Sequence, residues 1–185
     1  MCKEGNHLSH KRVDWDTYFM DIAFNVAGRG TCPRLRVGSV LVKEKRIKAT
    51  GYNGSPAGLP HCDDVGCYMV DNHCIRTSHS EENCLNNADV KDKQGATLYV
   101  TDQPCPNCQK LIISSGVKRV VFAREYKPAV DWLSQTDIEV VHLKDYVSQF
   151  ERKLLSMDKE ELMTILNKHN LSKRKKNTPT SLSEG

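Results

Sequence analysis

Two short stretches carry residues suited to metal-assisted hydrolysis: His79-Ser80-Glu81 and Pro104-Cys105-Pro106-Asn107-Cys108. One imidazole and two thiolates are ligands that zinc accepts, and three protein ligands leave a fourth tetrahedral position for water. Zinc lowers the pKa of such a water to near neutrality. Glu81, two residues from the only histidine of the set, need not be a ligand. It can carry protons from the water to a substrate nitrogen and on to a leaving amine. A purely structural zinc knuckle would close with a fourth Cys or His.

The elements that must position these residues follow from periodicity. Asp14–Ala27 places Trp15, Tyr18, Phe19, Ile22, Ala23 and Val26 at helical spacing, with Gly28 and Gly30 ending it. Val37–Val42 and Arg46–Gly51 read as strands joined by the charged turn Lys43-Glu44-Lys45. A helix is expected from His79 to Ala88, a strand over Ala96–Thr101, a helix over Pro106–Ser115 and a strand over Val117–Ala123. A weaker helix over Pro128–Gln135 and a strand over Ile138–Leu143 complete the alternation. The pattern predicts an α/β fold with a five-stranded sheet between helices. His79 and Cys105 then fall at helix starts, where unpaired backbone N–H groups favour thiolate. Cys105 and Cys108, three apart in a first turn, point the same way.

Composition sets bounds. The 185 residues fit one domain, and 27 basic against 23 acidic residues leave only +4. A broad basic surface with stacking aromatics, as an editor of RNA or DNA would need, is not expected from that balance and 6% aromatics. The chain is read as binding no nucleic acid. Met1-Cys2-Lys3-Glu4-Gly5 lacks an apolar export segment, and no stretch of apolar residues would span a bilayer, so no membrane association is expected. The eight cysteines therefore read as metal ligands or buried thiols in a cytoplasmic protein. The expected organisation is a polar leader (1–13), a catalytic domain (14–145) with a long irregular loop (52–78), C-terminal helices (146–171) and a disordered basic tail (172–185).

Together with Gly51-Tyr52-Asn53-Gly54-Ser55-Pro56, Asp71-Asn72-His73-Cys74-Ile75-Arg76-Thr77-Ser78 and Leu98-Tyr99-Val100-Thr101, the two stretches make the chain resemble the deoxycytidylate (dCMP) deaminases of bacteria and phages, within the cytidine deaminase superfamily, over roughly residues 14–143. The zinc motif alone fits the whole superfamily; the Tyr-Asn-Gly-Ser-Pro loop is more specific. The resemblance implies a three-layer α/β/α sandwich with a mixed sheet, and hydrolytic deamination of dCMP to dUMP for thymidylate synthesis. It implies catalytic zinc on His79, Cys105 and Cys108, Glu81 as proton shuttle, and Asn53 against the sugar, where an amide can both donate to and accept from a hydroxyl. Ser80, through its backbone N–H, is a candidate for the cytosine carbonyl. Arg34, Arg36, Arg76, Ser55 and Tyr126 are candidates for the 5′-phosphate. The resemblance further implies a homo-oligomer (a hexamer or a smaller dimer-based assembly) and regulation by dCTP, with Mg²⁺, and by dTTP.

Two departures stand out. Position 80, usually Ala in this family, is Ser80, and Asn86–Val90 does not reproduce the residues that regulated members use on the helix after the zinc His. Phage relatives bind a second zinc through cysteines matching Cys32 and Cys62. Their other ligands do not align here, and His73, with Cys67 or Cys74, is expected to complete that site, His61 being a further candidate.

Overall fold

The computed structural model describes residues 12–126 and 128–164. The expected leader, apart from its last two residues, and the tail lie outside them. Asp14 caps the first helix, α1 (Trp15–Ala27), its carboxylate accepting from the Thr17 N–H. Strands β1 (Gly38–Lys43) and β2 (Arg46–Tyr52) form a hairpin whose turn residues Glu44 and Lys45 both take positive φ. The long loop contains a short helix α2 (Cys62–Val65) and a two-stranded ribbon, β3 (Met69–Val70) with β4 (His73–Cys74). Then follow α3 (Ser80–Asn86), α4 (Val90–Lys93), β5 (Thr97–Asp102), α5 (Pro106–Ser114), β6 (Arg119–Arg124) and β7 (Glu139–His142). The helix α6 (Gln149–Ser156) lies in a second compact unit that begins at Val147, and a further helix starts at Lys159. Among the described residues no helix is long and apolar enough to cross a membrane.

The five-stranded sheet runs β2-β1-β5-β6-β7, antiparallel through β1 and parallel from β5 to β7. Period-two alternation splits its side chains between two cores. Val40, Val42, Tyr99 and Val121 pack with Phe19, Met20 and Ala23 of α1 on one face. Leu41, Leu98, Val100, Val120 and Phe122 pack with Cys84, Leu85 and Ile112 on the other, where α3 and α5 lie. The mixed sheet and its three layers are as expected.

Two glycines set how closely the layers approach. A Cβ on Gly38 would stand 2.1 Å from the Ala23 carbonyl oxygen of α1, and one on Gly51 would stand 2.4 Å from the Ser80 carbonyl oxygen of α3. Any side chain at Gly51 would lift α3, and His79 at its N-cap, off the sheet.

The helix expected over Pro128–Gln135 is reduced to one 3-10 turn at Leu133–Gln135. Its polar groups are engaged otherwise: the Trp132 N–H donates to the Gln109 side chain, and the Asp131 carbonyl accepts from the Ser134 hydroxyl. The helix expected from His79 to Ala88 stops at Asn86, with α4 as a separate turn.

Asp16 joins α1 to the sheet. Arg119 grips its carboxylate with two hydrogen bonds of 2.7 and 2.8 Å, and Tyr99 donates at 2.8 Å. These partners, Arg119 first, hold the Asp16 carboxyl below its ordinary value of 3.8. Its stabilisation is therefore complete above the unfolded value and lost as pH falls through the lower folded value. Asp16→Asn should cost about 1–3 kcal/mol at neutral pH. In urea unfolding at a series of pH values, the gap between wild type and variant should close as the solution becomes more acid than the unfolded carboxyl value.

Candidate active site

His79 and Cys105 occupy equivalent places: each is the N-cap of a helix, α3 and α5 respectively, in extended conformation, and neither side chain caps its own helix. Ser, Thr, Asp or Asn at an N-cap would stabilise by roughly 1 kcal/mol, so both helices forgo that contribution. The side chains turn instead toward each other. His79 Nδ1 lies 3.5 Å from Cys105 Sγ and 3.4 Å from Cys108 Sγ, and all three donor atoms fall within 4.8 Å of one another. Zinc–ligand lengths in a tetrahedron require N···S separations of ~3.6 Å. The donor set and spacing fit zinc. Pro106 at the first position of α5 pre-sets the helical turn that brings Cys108 beneath Cys105.

The electrostatics suit a cation. The hydrogen bond with Cys108, with His79 adding to it, pulls the Cys105 thiol down to about 3. The hydrogen bond with Cys105 pushes His79 up to about 9, and Cys108 is held high by its hydrogen bond to Cys105 and by burial. The group therefore offers one thiolate beside two protonated partners. Metal uptake must expel those protons, so affinity rises with pH. Glu81 is buried behind this group, and that burial raises its carboxyl.

A second cluster lies in the long loop. Cys32, Cys62, Cys67 and Cys74 bring four sulfurs within 4.8 Å of one another, with Cys32···Cys67 at 3.7 Å and Cys62···Cys74 at 3.5 Å. A tetrahedral zinc thiolate site needs ~3.8 Å between sulfurs, whereas a disulfide would need ~2.0 Å. All four are free thiols. Burial first, then the bond to Cys74, pushes Cys62 up to about 12. Cys74 is drawn down to about 7: burial opposes this, but the Arg76 N–H and the Cys62 thiol outweigh it. Both Cys67 and Cys74 join the cluster and neither histidine does. His73 is exposed on β4, and His61 pairs with the Thr31 hydroxyl at 3.1 Å. The loop's neck is closed by paired hydrogen bonds between Gly54 and Ser78, one residue before His79.

The other expected residues are held in several ways. Asn53 is nearly buried, its Oδ1 accepting from the Val37 N–H (2.9 Å) and its Nδ2 donating to the Leu35 carbonyl (2.7 Å). One amide N–H remains. The Ser55 hydroxyl is buried with no partner among the described residues. Arg34 donates to the Asn72 carbonyl at the ribbon turn, Arg76 to the Gly66 carbonyl, and Arg36 stands 3.8 Å from Asp63. Tyr126 is exposed, and its N–H donates to Gln103. Ser80 is fully buried.

Two residues of this region have no periodic or motif signal. Ser39 of β1 touches Ser80. Gln109, fully buried on α5, donates to the carbonyl of Pro104, the residue before Cys105 (3.0 Å), and accepts from the Trp132 N–H (2.6 Å).

A mixed five-stranded sheet covered by helices on both faces, with His and Cys ligands at two helix starts, defines the cytidine deaminase fold. A family model described as "Cytidine and deoxycytidylate deaminase zinc-binding region" matches residues 13–124, and the chain belongs to that family. It is 47% identical to the ComE operon protein 2 of Bacillus subtilis over 119 residues, 63% of each chain. It is 43% identical to the deoxycytidylate deaminase of Mycobacterium phage D29 over 126 residues, 62% of this chain and 98% of that one. A crystal structure of dCMP deaminase from the cyanophage S-TIM5, in complex with dCMP and dUMP, superposes with a TM-score of 0.61 at 30% identity. It covers 72% of this chain and 100% of that one.

Gln109→Leu leaves a carbonyl and an N–H without partners, each costing about 1–3 kcal/mol. The variant should unfold at lower temperature and lose metal from the His79 group to a chelator faster than wild type. An unchanged rate of metal loss would show that Pro104 needs no such support.

Proposed function

We propose that the protein is a zinc-dependent dCMP deaminase, converting dCMP and water to dUMP and ammonia. The observation that carries this reading is the convergence of His79, Cys105 and Cys108 at metal-ligand spacing with a buried carboxylate, Glu81, beside them. The likeness to the cyanophage dCMP deaminase captured with dCMP and dUMP supports it. When bound, zinc supplies the acidity that makes a water nucleophilic near neutral pH. Glu81 takes the proton of the attacking water and delivers it to the ring nitrogen; it then takes the proton of the hydroxyl added to the ring carbon and delivers it to the departing amine, so that ammonia leaves as the carbonyl forms. Its burial, which favours the neutral form, suits a group that must hold a proton during the reaction. The remaining N–H of Asn53 serves a sugar hydroxyl, and the partnerless Ser55 hydroxyl, with Arg34, Arg76 and Tyr126, serves the 5′-phosphate. The Ser80 backbone N–H faces the base carbonyl.

The four-cysteine cluster holds a second, structural zinc that fixes the loop carrying Arg76 toward His79. The protein acts in the cytoplasm as a homo-oligomer, hexameric or dimer-based, in the supply of dUMP for thymidylate. Control by dCTP with Mg²⁺ and by dTTP belongs to the same reading.

Glu81→Gln should lose at least the roughly 10²–10⁴-fold in kcat that general acid–base catalysis contributes, with metal content unchanged. Cys105→Ser should lose metal and activity together. Retained turnover in Glu81→Gln, followed by ultraviolet absorbance with dCMP, would refute the assignment. Metal analysis should find two zincs per chain, falling to one in Cys62→Ser with deamination still detectable; one zinc in the fully active wild type would remove the structural site. The phosphate partners require kcat/KM to be higher for dCMP than for deoxycytidine, since a truncated substrate loses binding and rate together. Equal values would sink the monophosphate assignment.

A further inference from the structure

We infer that Ser39 and Ser80 form a buried hydroxyl brace that positions the Glu81 carboxylate. Three polar side chains stand in line. Ser39 Oγ is 2.7 Å from Ser80 Oγ, and Ser80 Oγ donates to Glu81 Oε2 at 3.0 Å. Both serines are fully buried and Glu81 nearly so, which makes an unmade hydrogen bond there costly. A hydroxyl has a single hydrogen to give. Since Ser80 gives its hydrogen to Glu81, Ser39 must be the donor to Ser80, and the line runs from β1 through the start of α3 to the carboxylate.

The brace has a directional consequence. Oε2 accepts from the Ser80 hydroxyl, which holds the carboxylate in one orientation. Glu81 lies in the first turn of α3, two residues after His79, so the braced carboxylate belongs to a group already beside the metal ligands. A carboxylate that could rotate would present either oxygen, and a proton carrier gains from a fixed geometry.

The construction depends on the sheet. Ser39 shares the α3-facing side of β1 with Leu41 and pairs in register with Gly51 of β2. Gly51 has no side chain, so the backbone of Ser80 lies against that strand and the two hydroxyls come within hydrogen-bond distance. Neither serine belongs to the proposed metal ligands, and Ser39 stands two hydrogen bonds from Glu81. Ser39 and the Ser80 hydroxyl are positioning groups in this account.

The inference rests on the reading of Glu81 as the proton carrier, and the test separates the two. Steady-state kcat and KM for dCMP are measured for Ser39→Ala, Ser80→Ala and the double variant, with metal content determined on each sample and Glu81→Gln assayed alongside. Each single change should lower kcat roughly 10-fold, in the range of a lost hydrogen bond to a charged group, with KM and metal content unchanged. Because Ser39 acts only through Ser80, the double variant should be no slower than Ser80→Ala. Full kcat in Ser80→Ala, a shift in KM alone, or losses that multiply in the double variant would each overturn the brace. Ser39→Cys, near in shape but a poor donor, should match Ser39→Ala and serves in its place if the alanine variant does not fold. Retained turnover in Glu81→Gln would instead overturn the underlying reading of Glu81.

Discussion

Everything in this molecule that could do chemistry depends on two helix starts meeting within the span of a metal's ligand shell. His79 and Cys105 hold the N-cap positions of α3 and α5, and their donor atoms stand 3.5 Å apart. The helices lie on one face of the sheet, against Leu41, Leu98 and Val100. How far α3 stands from that face is set by Gly51, where a Cβ would collide with the helix backbone. A larger residue there would push His79, Ser80 and Glu81 away from Cys105 and Cys108 together. The N-caps themselves show the same priority, since each uses a side chain that cannot close its helix end.

The long loop answers a different constraint. Residues 52–78 have little apolar periodicity, and the ribbon residues Met69 and Val70 and neighbouring Ile75 remain exposed. Burial alone cannot hold such a segment. The four sulfurs of Cys32, Cys62, Cys67 and Cys74 form its centre, and the Gly54–Ser78 pairing closes its neck. Arg34 and Arg76 make their hydrogen bonds within this assembly, to Asn72 and Gly66. These two guanidinium groups are thus tied to loop backbone.

Much of this was legible in the residues. The two-residue alternation that divides Val40 and Val42 from Leu41, and Tyr99 from Leu98 and Val100, is a local pattern, and it placed the sheet. The spacing of His79, Glu81, Cys105 and Cys108 carried the metal group because the ligand types admit few other uses. Tertiary partners were not legible. The segment before Leu133 has an apolar pattern that suits a helix, yet Trp132 is bound to Gln109 of α5, which no local reading foresees. Ser39 is one serine in an apolar strand until α3 brings Ser80 against it. His73 has the right chemistry for the loop's cluster but faces outward on a two-residue strand, where the alternation of β4 sends Cys74 inward instead.

The proposed catalysis requires an open metal position at His79, Cys105 and Cys108. Zinc-edge X-ray absorption on Cys62→Ser protein carrying a single zinc measures that shell directly. The predicted shell is two sulfurs at ~2.3 Å, with one nitrogen and one non-protein oxygen at ~2.0–2.1 Å. A shell of four protein ligands, with no exchangeable oxygen, would contradict it.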